Sequence, residues 1–545
     1  MRKFLVDWKN ADLDWRSAFI VVAIASVASL FLGLLGFPVV GHDAIVHLNW
    51  MDQFVKLREQ GVTYPRWLPM SFGGFGAATF YFYPPLPYWF ASFFHSLFPI
   101  SPSGLYNALA MVASIASVCT TWWLLRQYSS NRIAALTGAL AYSFIGYRLV
   151  DVFIRDALGE HWALVFLPLV FLRFEDRTQR IILIAIAWCG LFLTNIPTAF
   201  IAAMTVGVMI ALEVPRQSRM ELFDYAISTM LALMMSAVYI MPALALHDRI
   251  QSQHLWDTHF LSTGFAILDL LQGQRGGLKT QALATLAAGI VCVGAAWHNK
   301  HDAPRTAYRC RAWLWIAIAA IIIQVPISGP LWHDVIPFKF IQFSWRWNGI
   351  LLLAIVIMTV KSKSAVMPLA LIALASVTLF GEASLSQEFA LHPKLPFDRY
   401  RIDAPEYAPK WTPSDANVVR VLAYKYIDDP PAVLLGLTFP SDSVKLLSRT
   451  SKEWTFNAQL SRETPVRFRQ FYWPYWQAFR GSDTITLQPD ALGFATALLP
   501  AGSYELRLVL IRSPYEKAGI IVSYIGAALL IVLLGGASYK KLRKL

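Results

Sequence analysis

Charge is scarce in this sequence. Asp, Glu, Lys and Arg make up 15% of the 545 residues, while 56% are hydrophobic and mean hydropathy is +0.47. A soluble chain carries roughly a quarter charged residues, so the composition excludes that class and implies a polytopic α-helical membrane protein. Cysteine is scarcer still. Cys119, Cys189, Cys292 and Cys310 show no CxxC or Cys/His spacing, which supports neither a zinc motif nor a disulfide framework. No glycine loop for nucleotide phosphates, no tandem repeat and no low-complexity tract is present. The formal charge is +13, but the basic residues fall in small clusters between apolar runs. That is the distribution of cytoplasmic loops, and it argues against nucleic acid as a partner.

What is there instead is a succession of apolar runs long enough to cross about 30 Å of hydrocarbon. They lie at roughly 17–37, 104–125, 132–149, 160–173, 180–194, 196–213, 223–245, 280–297, 311–326, 346–360, 364–381 and 518–537, about twelve transmembrane helices. The first follows basic residues, is longer than a signal-peptide core and precedes no A-x-A-like cleavage site. It reads as an uncleaved span. Segment 85–98 is apolar but too short to cross, and is expected as a helix along the outer membrane surface.

Alternate loops are RQYSSNR, RFEDRTQR, EVPRQSR, WHNKHDAPRTAYRCR and KSKS, and the tail is YKKLRKL. Their Lys/Arg content places them, and both termini, in the cytoplasm. The long first loop (38–103), the loops 150–159, 246–279 and 327–345, and segment 382–517 then lie outside. Segment 382–517 changes to period-two runs such as SVKLLSR, EWTFNAQL, VRFRQFYW, GFATALLP and SYELRLVLI, with VRVLAYKYI before them. These predict an extracytoplasmic β-sandwich-like domain, stabilised by its own core since it has no cysteine. The plan is a multi-span domain (1–381), the β-rich domain (382–517), and a final transmembrane helix with a basic tail (518–545).

The polar residues that could carry chemistry gather on the outer side. Asp43 and His47 are spaced i, i+4 in GHDAIVHLNW, so a helix starting there sets them on one face. A carboxylate at that place suits a general base; the alternative is a helix-capping acid. His47 is open between partner of the base, metal ligand and helix-face neighbour. DVFIRDALGEH carries Asp151, Arg155, Asp156 and Glu160. Ionisable groups at membrane depth are costly and point to function, and Arg155 suits a lipid phosphate; the alternative is a structural pair with an acid. PFKFIQFSWRWNG brings Lys339, Gln342, Trp345 and Arg346 to an outer interface, where Arg346 either holds a phosphate or snorkels to headgroups. His247, Asp248, His254, Asp257 and His259 match no tight metal motif and read as a hydrated lid. YPRWLP and FYFYPPLPYW, with Tyr64, Arg66 and Tyr83, read as a rigid aromatic wall.

GHDAIVHLNWMDQF, GVTYPRW, GGFGAATFYFYPPLPYW, RDALGEHWALVFLPL, LTNIPTAF, SAVYIMPAL, IQFSWRW and PEYAPKW together resemble the bacterial and archaeal membrane proteins called "6-pyruvoyl-tetrahydropterin synthase-related". FYWPYWQAFRG with LLPAG resembles the outer domain of YfhO-like membrane proteins, and the layout is similar to the GT-C superfamily of membrane glycosyltransferases. The resemblance implies a bacterial or archaeal cytoplasmic membrane and transfer of a sugar from a polyprenyl-phosphate donor to an extracytoplasmic glycan or glycolipid acceptor. It places Asp43 at the catalytic acid of the first loop and Asp156 where metal-dependent members carry another acid. The usual acidic pair is replaced here by His-Asp, so a reaction without cofactor is favoured; Asp43 and Asp156 are the ligands if a divalent metal is used. Donor phosphate falls to Arg155, Arg346 or Arg66, and substrate contacts to Asp156, Glu160, Gln342, Trp345, Tyr64 and Tyr83. The rivals are a transporter or flippase of lipid-linked sugars and a non-catalytic envelope-assembly protein. Against transport, the sequence shows no parallel between its halves and no broken-helix pair.

Overall fold

The computed structural model describes residues 15–34, 43–144, 146–153, 155–213, 219–255, 287–294, 307–361, 403–415, 433–435 and 443–542. Among them, Pro102–Arg126, Arg177–Thr194 and Pro514–Gly536 are each long and apolar enough to cross a membrane. Three pairs of helices meet the same measure only when taken together across a bend, which raises the number to six. The expected span 364–381 lies outside the described residues, as does the strand expected at VRVLAYKYI. The short apolar segment forms a helix at Leu86–Leu97.

Each of the three bent pairs falls on an expected span, against the expectation of no broken-helix pair, and two are bent sharply. Arg219–Met235 and Ala237–Arg249 meet at 75°, and Arg311–Ile323 and Pro326–Asp334 at 86°. The second break has a proline at its turn. The first is held by its neighbours. Pro242 has no N–H for the Val238 carbonyl four residues back, and Arg66 Nη2 donates to that carbonyl instead at 2.8 Å. The Val238 N–H is taken by Ser523 Oγ of the last helix at 2.7 Å. Gly519 lets this helix come close, since a Cβ there would lie 2.5 Å from the Ala237 carbonyl oxygen. Small residues make such backbone approaches possible between apolar helices.

The β-rich region forms two antiparallel sheets. One has the order β1-β4-β8-β7, with β1 Val433–Leu435, β4 Thr464–Phe471, β7 Gln488–Pro489 and β8 Phe494–Leu499. The other is β2-β3-β9-β5-β6, with β2 Ser443–Arg449, β3 Glu453–Leu460, β5 Trp476–Arg480, β6 Asp483–Ile485 and β9 Gly502–Leu510. Trp454, Phe456, Ala458 and Leu460 of β3 are buried and their neighbours less so, the pattern of a half-buried strand. Phe456 meets Phe468 of the other sheet at 5.5 Å between ring centres. β5 was not expected; it is a five-residue strand just after Trp473-Pro474-Tyr475.

The expectation of a separate core for this region is corrected, because it shares one with the first loop. Trp473 packs on Trp67 and Tyr81, and Phe471 and Phe494 pack on Phe75. The Phe471 N–H donates to the Phe75 carbonyl at 2.7 Å and Arg469 Nη2 to the Gly73 carbonyl at 2.8 Å. Gly76, at φ +88, has no room for a side chain: a Cβ would fall 2.2 Å from Gln470 Nε2 and 2.5 Å from the Trp67 ring. The GGFG turn is therefore a docking surface for the sheets.

Candidate active site

The helix Ala44–Glu59 begins at Asp43. Asp43 occupies the capping position, yet its side chain caps nothing and is exposed. Asp43 thus begins the helix, as the alternative reading had it, but its carboxylate makes no capping hydrogen bond. Its backbone N–H donates to the Arg155 carbonyl at 3.0 Å, and its own carbonyl accepts from the His47 N–H at 3.0 Å. The first contact ties the first outer loop to the second.

His47 lies one turn on and is buried. Its Nδ1 pairs with the Tyr88 hydroxyl at 2.6 Å, and its ring stands edge-on to Trp50 and Tyr83. Burial lowers its pKa to about 4, although the charge of Asp43 pulls the other way. The imidazole is therefore neutral near pH 7, a positioning neighbour of Asp43 and not a second charge. The unfolded chain takes up a proton at this residue below about pH 6.5 and the folded one only near 4. Stability contributed by neutral His47 is thus complete above pH 6.5 and lost as pH falls to 4, by about 3 kcal/mol at most. Thermal melting of the wild type minus His47→Gln across this range should show that falling difference; a flat difference refutes it.

Behind Asp43 lies a buried ionic group. Arg155 Nη1 donates to Asp151 Oδ1 at 2.5 Å, to the Tyr147 hydroxyl at 2.6 Å and to Glu160 Oε2 at 2.8 Å. Tyr147 donates to Glu160 Oε1 at 2.7 Å. Arg346 reaches the same carboxylate from a distant helical turn, Ser344–Trp347, with Nε at 3.1 Å from Glu160 Oε2. Its Nη1 donates to the Ile341 carbonyl and to Gln342 Oε1. Arg155 thus forms the structural pair with acids that the sequence left open, and Arg346 is paired with an acid too, its side chain 10% exposed and not snorkelling. A guanidinium has five N–H donors, however. Nε and Nη2 of Arg155, and Nη2 of Arg346, make no hydrogen bond among the described residues.

The backbone is strained here. Among the described residues only Phe72, Asp156 and Gln342 have positive φ without being glycine, and two of the three belong to this group. Strain of this kind persists where the surroundings over-determine it, which is common at functional sites. Asp156 is buried and interacts with the Tyr106 side chain.

Tyr83 is the common neighbour. Burial raises its phenol pKa, and the charges acting on it are those of Asp43, Arg346, Glu160 and Arg155. Gly159 sits against it: a Cβ there would meet the Tyr83 hydroxyl and the Thr194 carbonyl oxygen, each at 2.8 Å. Asp43, Arg346, Glu160 and Arg155 therefore all lie near enough for their charges to act on this phenol.

Other expected site residues fall elsewhere. Arg66 is removed from this group: its Nε pairs with Glu516 at 2.9 Å and its guanidinium lies over Tyr64. Tyr64 goes with it, its hydroxyl on the Phe80 carbonyl. Trp345 stacks on Phe343 at 4.5 Å and Trp347 on Phe338, so the ring that Arg346 faces is Phe343, not a tryptophan. The expected lid lies largely in 256–286, outside the described residues, and its start is pinned by Gln251 to Ala408, Lys410 and Thr412. Among the described residues no three His, Cys, Asp or Glu side chains form a metal-binding group.

The sequence reading missed Glu406. It stands in the turn Pro405–Tyr407, whose Tyr407 packs on Trp50 and Tyr83. Burial pushes the Glu406 carboxyl up to about 7; its own backbone pulls it partly back, and the charges of Asp403 and Asp43 add to the rise. Asp403 is buried and accepts from Trp50 Nε1 at 2.8 Å. The motif PEYAPKW held the signal in its single acid.

No protein-family model and no curated protein matches the chain. Among solved structures the chain is similar to the arabinofuranosyltransferase AftD from Mycobacteria, at 17% identity and a TM-score of 0.42. That alignment covers 68% of this chain and 27% of AftD, so the chain spans about a quarter of that protein's length. It is also similar to ArnT from Cupriavidus metallidurans bound to undecaprenyl phosphate, at 11% identity and a TM-score of 0.29, over 79% of this chain and 96% of that one.

Proposed function

We propose that the chain is a membrane glycosyltransferase of the GT-C kind, moving a sugar from a polyprenyl-phosphate donor to an extracytoplasmic glycan or glycolipid acceptor. The observation that carries the reading is an exposed carboxylate without a capping bond, tied through its backbone N–H to Arg155, beside two arginines that meet on Glu160 and keep unused donors. Asp43 takes the acceptor hydroxyl proton as its oxygen attacks the anomeric carbon. The bond from that carbon to the lipid phosphate breaks, and the phosphate leaves as an anion onto Nε and Nη2 of Arg155 and Nη2 of Arg346. Attack opposite the leaving group inverts the anomeric centre. Guanidinium donors fixed beforehand by Glu160 stabilise charge as it develops without reorganising. This mechanism needs no cofactor.

The full-length protein in detergent, given a polyprenyl-phosphate sugar and a glycan acceptor, should release polyprenyl phosphate with formation of a new glycosidic bond. The two bent helix pairs favour a second reading, transport of a lipid-linked sugar, since broken helices recur in transporters. Movement of intact donor across proteoliposomes, with no bond broken in detergent, would establish that reading and overturn the first.

A further inference from the structure

A cavity of about 760 Å³ opens between the first loop, the β2–β9 sheet and the start of the last helix, Pro514–Leu542. None of Asp43, His47, Tyr83, Arg155, Glu160 and Arg346 lines it. One side is cationic and the other apolar.

Arg66 is the buried member of the cationic side. It is 5% exposed, with Nε on Glu516 and Nη2 on the Val238 carbonyl, and its Nη1 has no hydrogen-bond partner among the described residues. Glu516 does not supply that partner: its oxygens accept from Arg66 Nε, from the Ser513 N–H at 2.8 Å and from the Tyr81 hydroxyl at 3.2 Å. A buried guanidinium donor left open costs free energy unless a ligand takes it. Lys452 and Arg512 stand exposed on the same wall. Partial burial lowers the Lys452 ammonium pKa, and the charge of Arg512 lowers it further, against a smaller opposing effect of Glu516. The other acid lining the cavity, Glu59, is paired with His95.

The apolar side is made by Val238, Ile520, Tyr524 and Ala527. The last three belong to a helix long and apolar enough to cross a membrane, and Tyr524 is 73% exposed. The cavity therefore joins a cluster of phosphate-binding donors to a wall fit for hydrocarbon, at one end of a span. A free anion would use only the first half, and a neutral lipid only the second.

We propose that this cavity is a binding site for an anionic phospholipid, with its phosphate on Arg66, Lys452 and Arg512 and its acyl chains along the last helix. The site is separate from the transfer chemistry and does not rest on it, because its test reads binding alone. Full-length protein, delipidated in mild detergent, is titrated with dioleoylphosphatidylglycerol or dioleoylphosphatidylcholine and the adducts counted by native mass spectrometry. The wild type should prefer the anionic lipid. The variant Lys452→Ala/Arg512→Ala changes only exposed side chains, so its melting temperature should hold while affinity for the anionic lipid falls roughly tenfold to thirtyfold. Millimolar inorganic phosphate should not displace the lipid. Equal binding of the two lipids, unchanged affinity in the variant, or displacement by phosphate would each overturn the proposal.

Discussion

Asp43→Asn should abolish sugar transfer while leaving the fold intact. The substituted side chain is exposed and makes no capping bond, so thermal stability should move by less than about 0.5 kcal/mol. The contacts that position the residue, from its N–H to Arg155 and from its carbonyl to His47, are backbone contacts that Asn keeps. What Asn cannot do is accept the acceptor's proton. General-base catalysis contributes typically 10²–10⁴-fold, and the loss should fall on turnover with donor affinity unchanged. Glu406 makes the experiment sharper, since its carboxyl, at about 7 and influenced by Asp43, is the nearest substitute base that the pKa pattern identifies. If Asp43→Asn keeps full activity and Glu406→Gln loses it, the base has been assigned to the wrong acid. Rates of polyprenyl-phosphate release from both variants decide between them.

Glu160→Gln should produce the largest loss of stability. One carboxylate receives Arg155, Arg346 and Tyr147, and its side chain is 2% exposed. Gln keeps the volume but gives up the charge, leaving the buried Arg155 and the half-buried Arg346 without the carboxylate they share. Removing one partner of a buried ionic group costs roughly 3–5 kcal/mol, much of it from the charge left behind. Combining Glu160→Gln with Arg346→Gln should therefore cost less than the sum of the two changes, a coupling that a double-mutant cycle in thermal or denaturant melts measures directly. Additive costs would mean that Arg346 is held by the Ile341 and Gln342 oxygens, with Glu160 contributing little to its place.

How legible was this site before the fold was known? Local spacing showed what local spacing determines. Asp43 and His47 do share a helix that starts where expected, Leu86–Leu97 is helical, and strands β2, β3 and β9 follow their alternating runs. The rest depends on pairings that no period encodes. Trp50 reaches Asp403 across 353 residues and Tyr81 reaches Glu516 across 435. Arg66 is an instance of the difficulty. Its neighbours Tyr64 and Trp67 suggested a substrate wall, but its role was set by Pro242, which leaves a carbonyl in need of a donor. The sequence offered Arg346 a phosphate or the headgroups, whereas its tie to Glu160 spans 186 residues.

The shared core of the first loop and the sheets also has a consequence for biogenesis. The Gly73 carbonyl is made 396 residues before the Arg469 that binds it, and Tyr81 is made 435 residues before Glu516. Long-range contacts of this kind close slowly, because the chain between them must first be ordered. The first loop must wait, with Trp67, Phe75 and Tyr81 uncovered, until the C-terminal sheets have folded. The last helix then closes Glu516 onto Arg66.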